Sequence, residues 1–171
     1  MVDGHHQQLG LTAFIGLCLL SCGAAPSAAG PCSARGTSVV IDLTDHTLYL
    51  CRAGASAGQH TIAIGRGGTG KRVEGDGRTP VGTYRLGTPR RSGEGFYRFI
   101  PIGYPTAAQK RAGYTGGAIG IHGPARGAAW LGRSSTWVDW TQGCVAVDSD
   151  AALDAVEAFV RAHRVRTVHL F

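Results

Sequence analysis

Charge is scarce in this sequence. Asp, Glu, Lys and Arg make up 16% of its 171 residues, against roughly 25% in an average soluble domain. Lys and Arg never form a run, and no aromatic stripe interleaves them, so a nucleic-acid partner has no footprint here. No apolar stretch approaches the roughly 20 residues that a spanning helix needs. The fullest one, residues 9–20, is little more than half that length. His122, Cys144, His163 and His169 are all possible zinc ligands by type. The chain nevertheless has no Cys-x-x-Cys or His-x-x-x-His spacing, and no metal is expected. Internal repeats are also missing, and the length suits one domain with a real core rather than two.

Glycine is abundant, at 27 residues, which favours turns and close backbone approaches over a helical bundle. The formal charge of +6 and a pI near 9.4 suit an anionic wall polymer or membrane surface. The apolar residues 9–20 have the length of an export-signal core, although residues 1–8 contain no Lys or Arg. Leu19-Leu20-Ser21-Cys22 resembles a lipobox, which would make Cys22 a lipid anchor; cleavage near Ala28 or Ala29 is the other reading. The organisation expected is a signal or lipobox segment over 1–22, a linker over 23–36 and a domain over 37–171. The protein is then exported to the periplasm or cell envelope.

Cys32, Cys51 and Cys144 remain in the mature chain, Cys32 within the linker. An odd number in an oxidising compartment leaves one reactive thiol or an intermolecular bridge. Cys32 can pair with Cys51, or all three can stay reduced with two of them packing residues.

Residues 39–41 and 47–50 are β-type runs around a short turn and predict a hairpin. Residues 60–64, 81–86, 96–102, 118–122 and 165–171 read as further strands. Residues 65–77 are glycine-laden turns. Residues 106–112 predict a short helix with Thr106 as N-cap. Leu153, Val156, Phe159 and Val160 recur at helical spacing and predict one long helix over 150–163, capped by Asp148 or Ser149. Residues 123–142 read as loop and hold Trp130, Trp137 and Trp140, which either line a groove or pack that loop down. The fold class is mostly β, sandwich-like, with one long and one short helix.

Thr141-Gln142-Gly143-Cys144 carries the chemistry. A cysteine after glycine can sit on a tight turn with exposed N–H groups, which an acyl-transfer oxyanion requires. Its thiol must lose a proton to attack, and His122, at the end of a strand and before a glycine, is the best-placed base. By residue type alone the pair is suggestive only.

Ile121-His122-Gly123, followed after a loop by Thr141-Gln142-Gly143-Cys144-Val145, resembles the L,D-transpeptidase (YkuD) signature. Gly75-Asp76-Gly77-Arg78-Thr79-Pro80-Val81-Gly82 is similar to that family's Gly-Asp-Gly-x-Thr-Pro-x-Gly segment. Residues 99–105 and Asp139-Trp140-Thr141 resemble a YafK-like branch of murein enzymes. Two positions depart from the common pattern: Gln142 replaces a second His, and Ala146 replaces an Arg, as in that branch, where some members are hydrolases.

The resemblance implies a YkuD-type fold and a cysteine enzyme acting on peptidoglycan stem peptides without a cofactor. Cys144 is then the nucleophile and His122 the general base and acid, with the Gly123 carbonyl orienting the imidazole. Backbone N–H groups of Gln142, Gly143 and Cys144 form the oxyanion hole. Tyr104, Arg126 and Trp140 are candidates for touching the peptide. Asp139 invites a third-member role but fits a turn or cap better. The acceptor is the amine of a second stem or of an anchored protein, or water, which makes the enzyme a carboxypeptidase or amidase. A wall-binding lipoprotein without catalysis is the reading from another class.

Overall fold

The computed structural model describes residues 1–2, 30–33, 35–93 and 95–171. The signal reading of 1–22, its lipobox Cys22 and the alternative cleavage at Ala28 or Ala29 lie largely or wholly outside the described residues.

The expected hairpin is present: β1 (Ser38–Asp42) pairs antiparallel with β2 (Thr47–Arg52), Val40 facing Tyr49. β3 (Ala55–Ala63) begins five residues before the predicted strand. Its first half, exposed Ala-Ser-Ala and a half-buried Gly, shows no apolar alternation, so only main-chain pairing with β2 makes it a strand. β4 (Gly82–Arg85), β5 (Arg90–Arg91), β6 (Arg98–Pro101), β7 (Gly120–His122), β8 (Val145–Val147) and β9 (Thr167–Leu170) complete the described strands. Their order in the sheet is β4-β9-β1-β2-β3-β8-β7-β6-β5, with β1–β9 and β7–β8 parallel. β3 bridges the two halves, pairing with β2 up to Thr61 and with β8 at Ile62 and Ala63. Just past β4 and β6, Leu86 bridges Ile102, with Gly87 N–H on the Pro101 carbonyl (2.7 Å) and Gly103 N–H on the Arg85 carbonyl (2.9 Å). These bonds draw the two ends of the sheet together and curl it.

Inside the curl lie Ile41, Leu48, Ile62, Ile100, Ile121, Val145 and Leu170, all buried. Each fully buried side chain of this size is worth roughly 1.5–3 kcal/mol. Two helices flank the sheet. α1 (Ala107–Arg111) buries nothing and is held by a capping box, Thr106 with Gln109. α2 (Asp150–Ala162) starts at Ser149, whose Oγ accepts the Ala152 N–H at 3.1 Å. Its Leu153, Val156, Phe159 and Val160 are buried as the spacing predicts, and it packs on β6, β7 and β8. Glu157 is buried on the same helix, where the Arg98 guanidinium (2.9 Å) and Arg161 Nε (2.7 Å) bond it.

Residues 123–142 are less irregular than the sequence suggests. Arg126–Thr136 forms 3₁₀ turns broken at Gly132, which takes φ 51° and ψ −130°. Such turns satisfy the backbone without an apolar period, which hides them in sequence. Cys32 and Cys51 form a disulfide, Cα–Cα 5.2 Å, packed with Val40 and Tyr49, and it ties the segment before β1 to β2. Of the two alternatives, this pairing or three reduced cysteines, the pairing is the one adopted, and Cys144 keeps its thiol.

Candidate active site

The residues after β3 act as a rail for the cysteine turn. Thr141 N–H donates to the Ile64 carbonyl (3.1 Å), and Arg66 N–H donates to the Thr141 carbonyl (2.9 Å). Thr79, fully buried, takes the Gly65 N–H on its hydroxyl at 2.8 Å. Two glycines make this close packing feasible. A Cβ on Gly65 would collide with the Gly77 carbonyl, and one on Gly143, at φ +120°, with the Arg78 carbonyl. Residues 75–80 are therefore the bed under the cysteine turn. Asp76 fixes that bed by accepting from the Arg72, Val73 and Arg78 amides and from Lys71 Nζ (2.8 Å). Burial pushes its carboxyl up, but these donors outweigh burial and hold it well below the usual carboxylate range.

Thr141 shapes the turn itself. Its buried hydroxyl accepts the Gly143 N–H (3.0 Å) and donates to the Cys144 carbonyl (2.7 Å). The Gly143 amide expected in the oxyanion hole is thus bonded within the turn. The Gln142 side chain is exposed. Cys144 is half-buried, and its Sγ–H reaches the Ala118 carbonyl at 3.5 Å.

β7 brings the imidazole alongside. Ile121 pairs with Val145 and His122 with Ala146. Strand alternation puts Cys144 on the same side as Ala146, hence on the His122 side. His122 is 1% exposed. Its Nδ1–H donates to the Gly123 carbonyl at 2.6 Å, which leaves the Nε2 lone pair as acceptor. Phe96 stacks on the ring at 3.8 Å between centroids, and Trp140 meets it edge-on at 5.7 Å. Burial lowers the imidazole pKa to about 4 against the opposing Gly123 bond, so the ring is neutral at pH 7. Phe96 was not legible as a site residue; it sits in an aromatic run whose facing the sequence does not reveal.

The remaining candidates separate. Tyr104, a candidate peptide contact by sequence, is enclosed in the core. It is 5% exposed, edge-on to Tyr84, with its hydroxyl on the Lys71 carbonyl at 3.2 Å, because a phenol that closes a core needs an internal acceptor. Trp140 is a wall of the imidazole pocket, its Nε1–H on the Ser135 carbonyl at 2.9 Å. Arg126 is exposed at the rim, its Nε–H on the Phe96 carbonyl at 3.1 Å. Trp140, Pro124, Ala125, Leu131 and Val138 line an apolar cavity of about 230 Å³, whereas Trp130 and Trp137 face solvent. Among the described residues Asp150 Oδ1 has no hydrogen-bond partner although it is buried, and a Cβ on Gly123 would approach it to 2.6 Å. His163 packs on Phe159, and His169 bonds Thr83. Among the described residues no three His, Cys, Asp or Glu side chains gather as a metal site, and no helix is long and apolar enough to cross a membrane.

Comparisons with known proteins point to one family. The L,D-transpeptidase catalytic domain family (YkuD) matches residues 36–165. The structure resembles the helical cell shape determining protein Pgp2 from Campylobacter jejuni, with 26% identity and TM-score 0.61, covering 77% of this chain and 46% of that one. The K307A mutant of the same protein matches at 25% identity and TM-score 0.62, covering 84% and 51%. The chain therefore spans about half the length of Pgp2. The catalytic domain of the E. faecium L,D-transpeptidase, at 14% identity and TM-score 0.51, covers 79% of this chain and 96% of its own, a likeness of fold alone. No curated protein matches in sequence. With His122 ending β7 and Cys144 leading into the neighbouring β8, the match over most of the chain means that the chain belongs to the L,D-transpeptidase catalytic domain family.

Proposed function

We propose that the protein is a peptidoglycan L,D-transpeptidase of the cell envelope that works through a Cys144 thioester. The observation that carries this reading is the His122 ring. It is buried, neutral and fixed by its Nδ1–H bond to Gly123, on the strand beside the one that Cys144 leads into.

Cys144 Sγ attacks the carbonyl carbon of the third stem residue as His122 Nε2 takes the thiol proton. The C–S bond forms, the C–N bond to the terminal D-alanine breaks, and His122 returns the proton to the leaving amine. An acceptor amine, from a second stem or an anchored protein, then attacks the thioester. It gives its proton to His122, which hands it back to sulfur. At rest the imidazole is a weak base. It gains basicity as negative charge grows at Cys144, and the Phe96 face favours the imidazolium by roughly 0.5–2 kcal/mol. With the Gly143 N–H turned to Thr141, the Gln142 and Cys144 amides are the proposed oxyanion donors. Arg126 is the proposed rim contact for a stem carboxylate. Export through residues 1–22, with a lipid anchor on Cys22, belongs to the same proposal.

Ala146 favours hydrolysis as the second reading. Buried in β8, it offers the substrate no cation where the common family pattern has Arg. Incubating the protein with disaccharide tetrapeptide and a D-amino acid, read by mass spectrometry, separates the two. Exchange of the terminal residue is expected; tripeptide alone makes the protein a carboxypeptidase, and unchanged substrate makes it a wall-binding protein. A carbapenem adduct on Cys144 is the expected second sign.

A further inference from the structure

Asp139 stands two residues before Thr141, outside the pocket that holds His122. One carboxylate oxygen accepts the Ile64 N–H at 2.9 Å. The same oxygen lies 3.0 Å from His46 Nε2, and the other 3.2 Å. His46 Nδ1 faces the Thr44 carbonyl at 3.2 Å. Both ring nitrogens thus face acceptors, and only the imidazolium can donate to both. The main chain of His46, at φ 48°, is pinned too: its carbonyl takes the Ile62 N–H at 3.0 Å. From the β1–β2 turn, His46 therefore grips the end of β3 twice, directly at Ile62 and through Asp139 at Ile64. Ile64 in turn accepts the Thr141 N–H, and Thr141 holds Gly143 and Cys144.

We infer that Asp139, backed by a protonated His46, is a positioning residue that clamps the nucleophile turn onto the end of β3. This inference rests on the reading of Cys144 as nucleophile. It also separates Asp139 from the triad: the carboxylate never meets His122, whose Nδ1–H goes to the Gly123 carbonyl. The clamp is charge-assisted, and its charge is conditional. The charges acting on His46 are Asp139 itself and Asp42 at the end of β1. Burial alone would lower the His46 pKa, but the bonds to Asp139 and Thr44 and the two carboxylates raise it above 6.5. With a raised folded-state value, the contribution is complete below pH 6.5 and fades as pH rises through that value. Neutral His46 keeps at most one of its two bonds.

The test compares full-length wild type with Asp139→Ala, Asp139→Asn, His46→Gln and Cys144→Ala. The readouts are tetrapeptide turnover and iodoacetamide labelling of Cys144, followed by peptide mass spectrometry. A turn displaced by an ångström costs on the order of 10²-fold. Asp139→Ala is accordingly expected to lower kcat and labelling about 10- to 100-fold while KM moves less than about twofold. Asp139→Asn keeps an oxygen for the Ile64 N–H and restores most of the loss. For His46→Gln, the wild-type to variant ratio of labelling rates is expected to exceed one at pH 6 and to approach one at pH 9; taking the ratio cancels the titration of Cys144 itself. Wild-type kcat in Asp139→Ala, or a ratio that does not change with pH, overturns the inference. His46 is a surface side chain, so its variant keeps the test valid even if Asp139→Ala fails to fold. Turnover surviving in Cys144→Ala refutes the nucleophile reading instead, and the two failures are thereby told apart.

Discussion

Thr141 is the most exacting place to test how the turn of the proposed nucleophile is held. Thr141→Val keeps the side chain's shape and removes only the hydroxyl, so no cavity opens. The hydroxyl satisfies two main-chain groups, the buried Gly143 N–H and the part-buried Cys144 carbonyl. Leaving a buried group unsatisfied costs about 1–3 kcal/mol. Taking about 2 kcal/mol for the enclosed amide and about 1 kcal/mol for the carbonyl, which water can reach, gives a loss near 3 kcal/mol. At about 2–4 °C per kcal/mol for a domain of this size, the melting midpoint should fall about 6–12 °C. Activity should fall further than stability. The freed amide lets the turn re-set, and displacing one oxyanion donor typically costs about 10²–10³ in kcat. Thr141→Ser is the control: it loses a methyl group, about 1 kcal/mol, and should retain most turnover. Thermal melts beside tetrapeptide assays decide the matter. If valine and serine variants melt and turn over alike, the hydroxyl is not what shapes the turn.

Three other outcomes follow from the same packing. The His122 pKa is about 4 in the fold and 6.5 when free, so the unfolded chain takes up the proton first as pH drops. Stability complete above pH 6.5 should decline by about 3 kcal/mol as pH falls through 4; urea unfolding across that range should lose this slope in His122→Gln. Phe96→Ala opens the stacked face of the ring to water; relief of burial, the largest cause of the low value, outweighs the lost face contact of about 0.5–2 kcal/mol, and an NMR titration should find the imidazole pKa moving up from about 4 toward 6.5. Gly120→Ala drives a methyl into the Phe99 ring and to 2.7 Å from the Ile100 carbonyl, costing at least about 1–3 kcal/mol, whereas Gly58→Ala, 3.4 Å from Leu50, should change melting little.

Where the chain writes its structure in side chains, the sequence predicts it well. The α2 spacing of Leu153, Val156 and Phe159 fixes a helix within a residue of Asp150–Ala162, and Thr106 predicts the start of α1. The hairpin of β1 and β2 is as legible. Elements made by main-chain pairing alone are not. β5 is two arginines, β8 is three residues and too short to alternate, and the first half of β3 is exposed Ala and Ser with a half-buried Gly. The candidate site divides in the same way. Cys144 and His122 are readable because a motif of chemical types marks them. Phe96 and the Ala118 carbonyl are not, since what qualifies them is where the fold aims a ring face or a peptide oxygen. Tyr104 is the converse: an aromatic in a motif-like run that the curl turns inward.

The hydrogen bond from His122 to the Gly123 oxygen has a consequence for anyone who maps this protein by substitution. The acceptor belongs to the peptide backbone, so no exchange of side chains deletes it, and on the proposed mechanism a saturation screen will report two indispensable functional groups where that mechanism employs three. Position 123 will then register as intolerant of bulk rather than of any chemistry, because even a methyl there meets the Asp150 carboxylate. The third participant is hidden from genetics by being made of the one part that every residue shares.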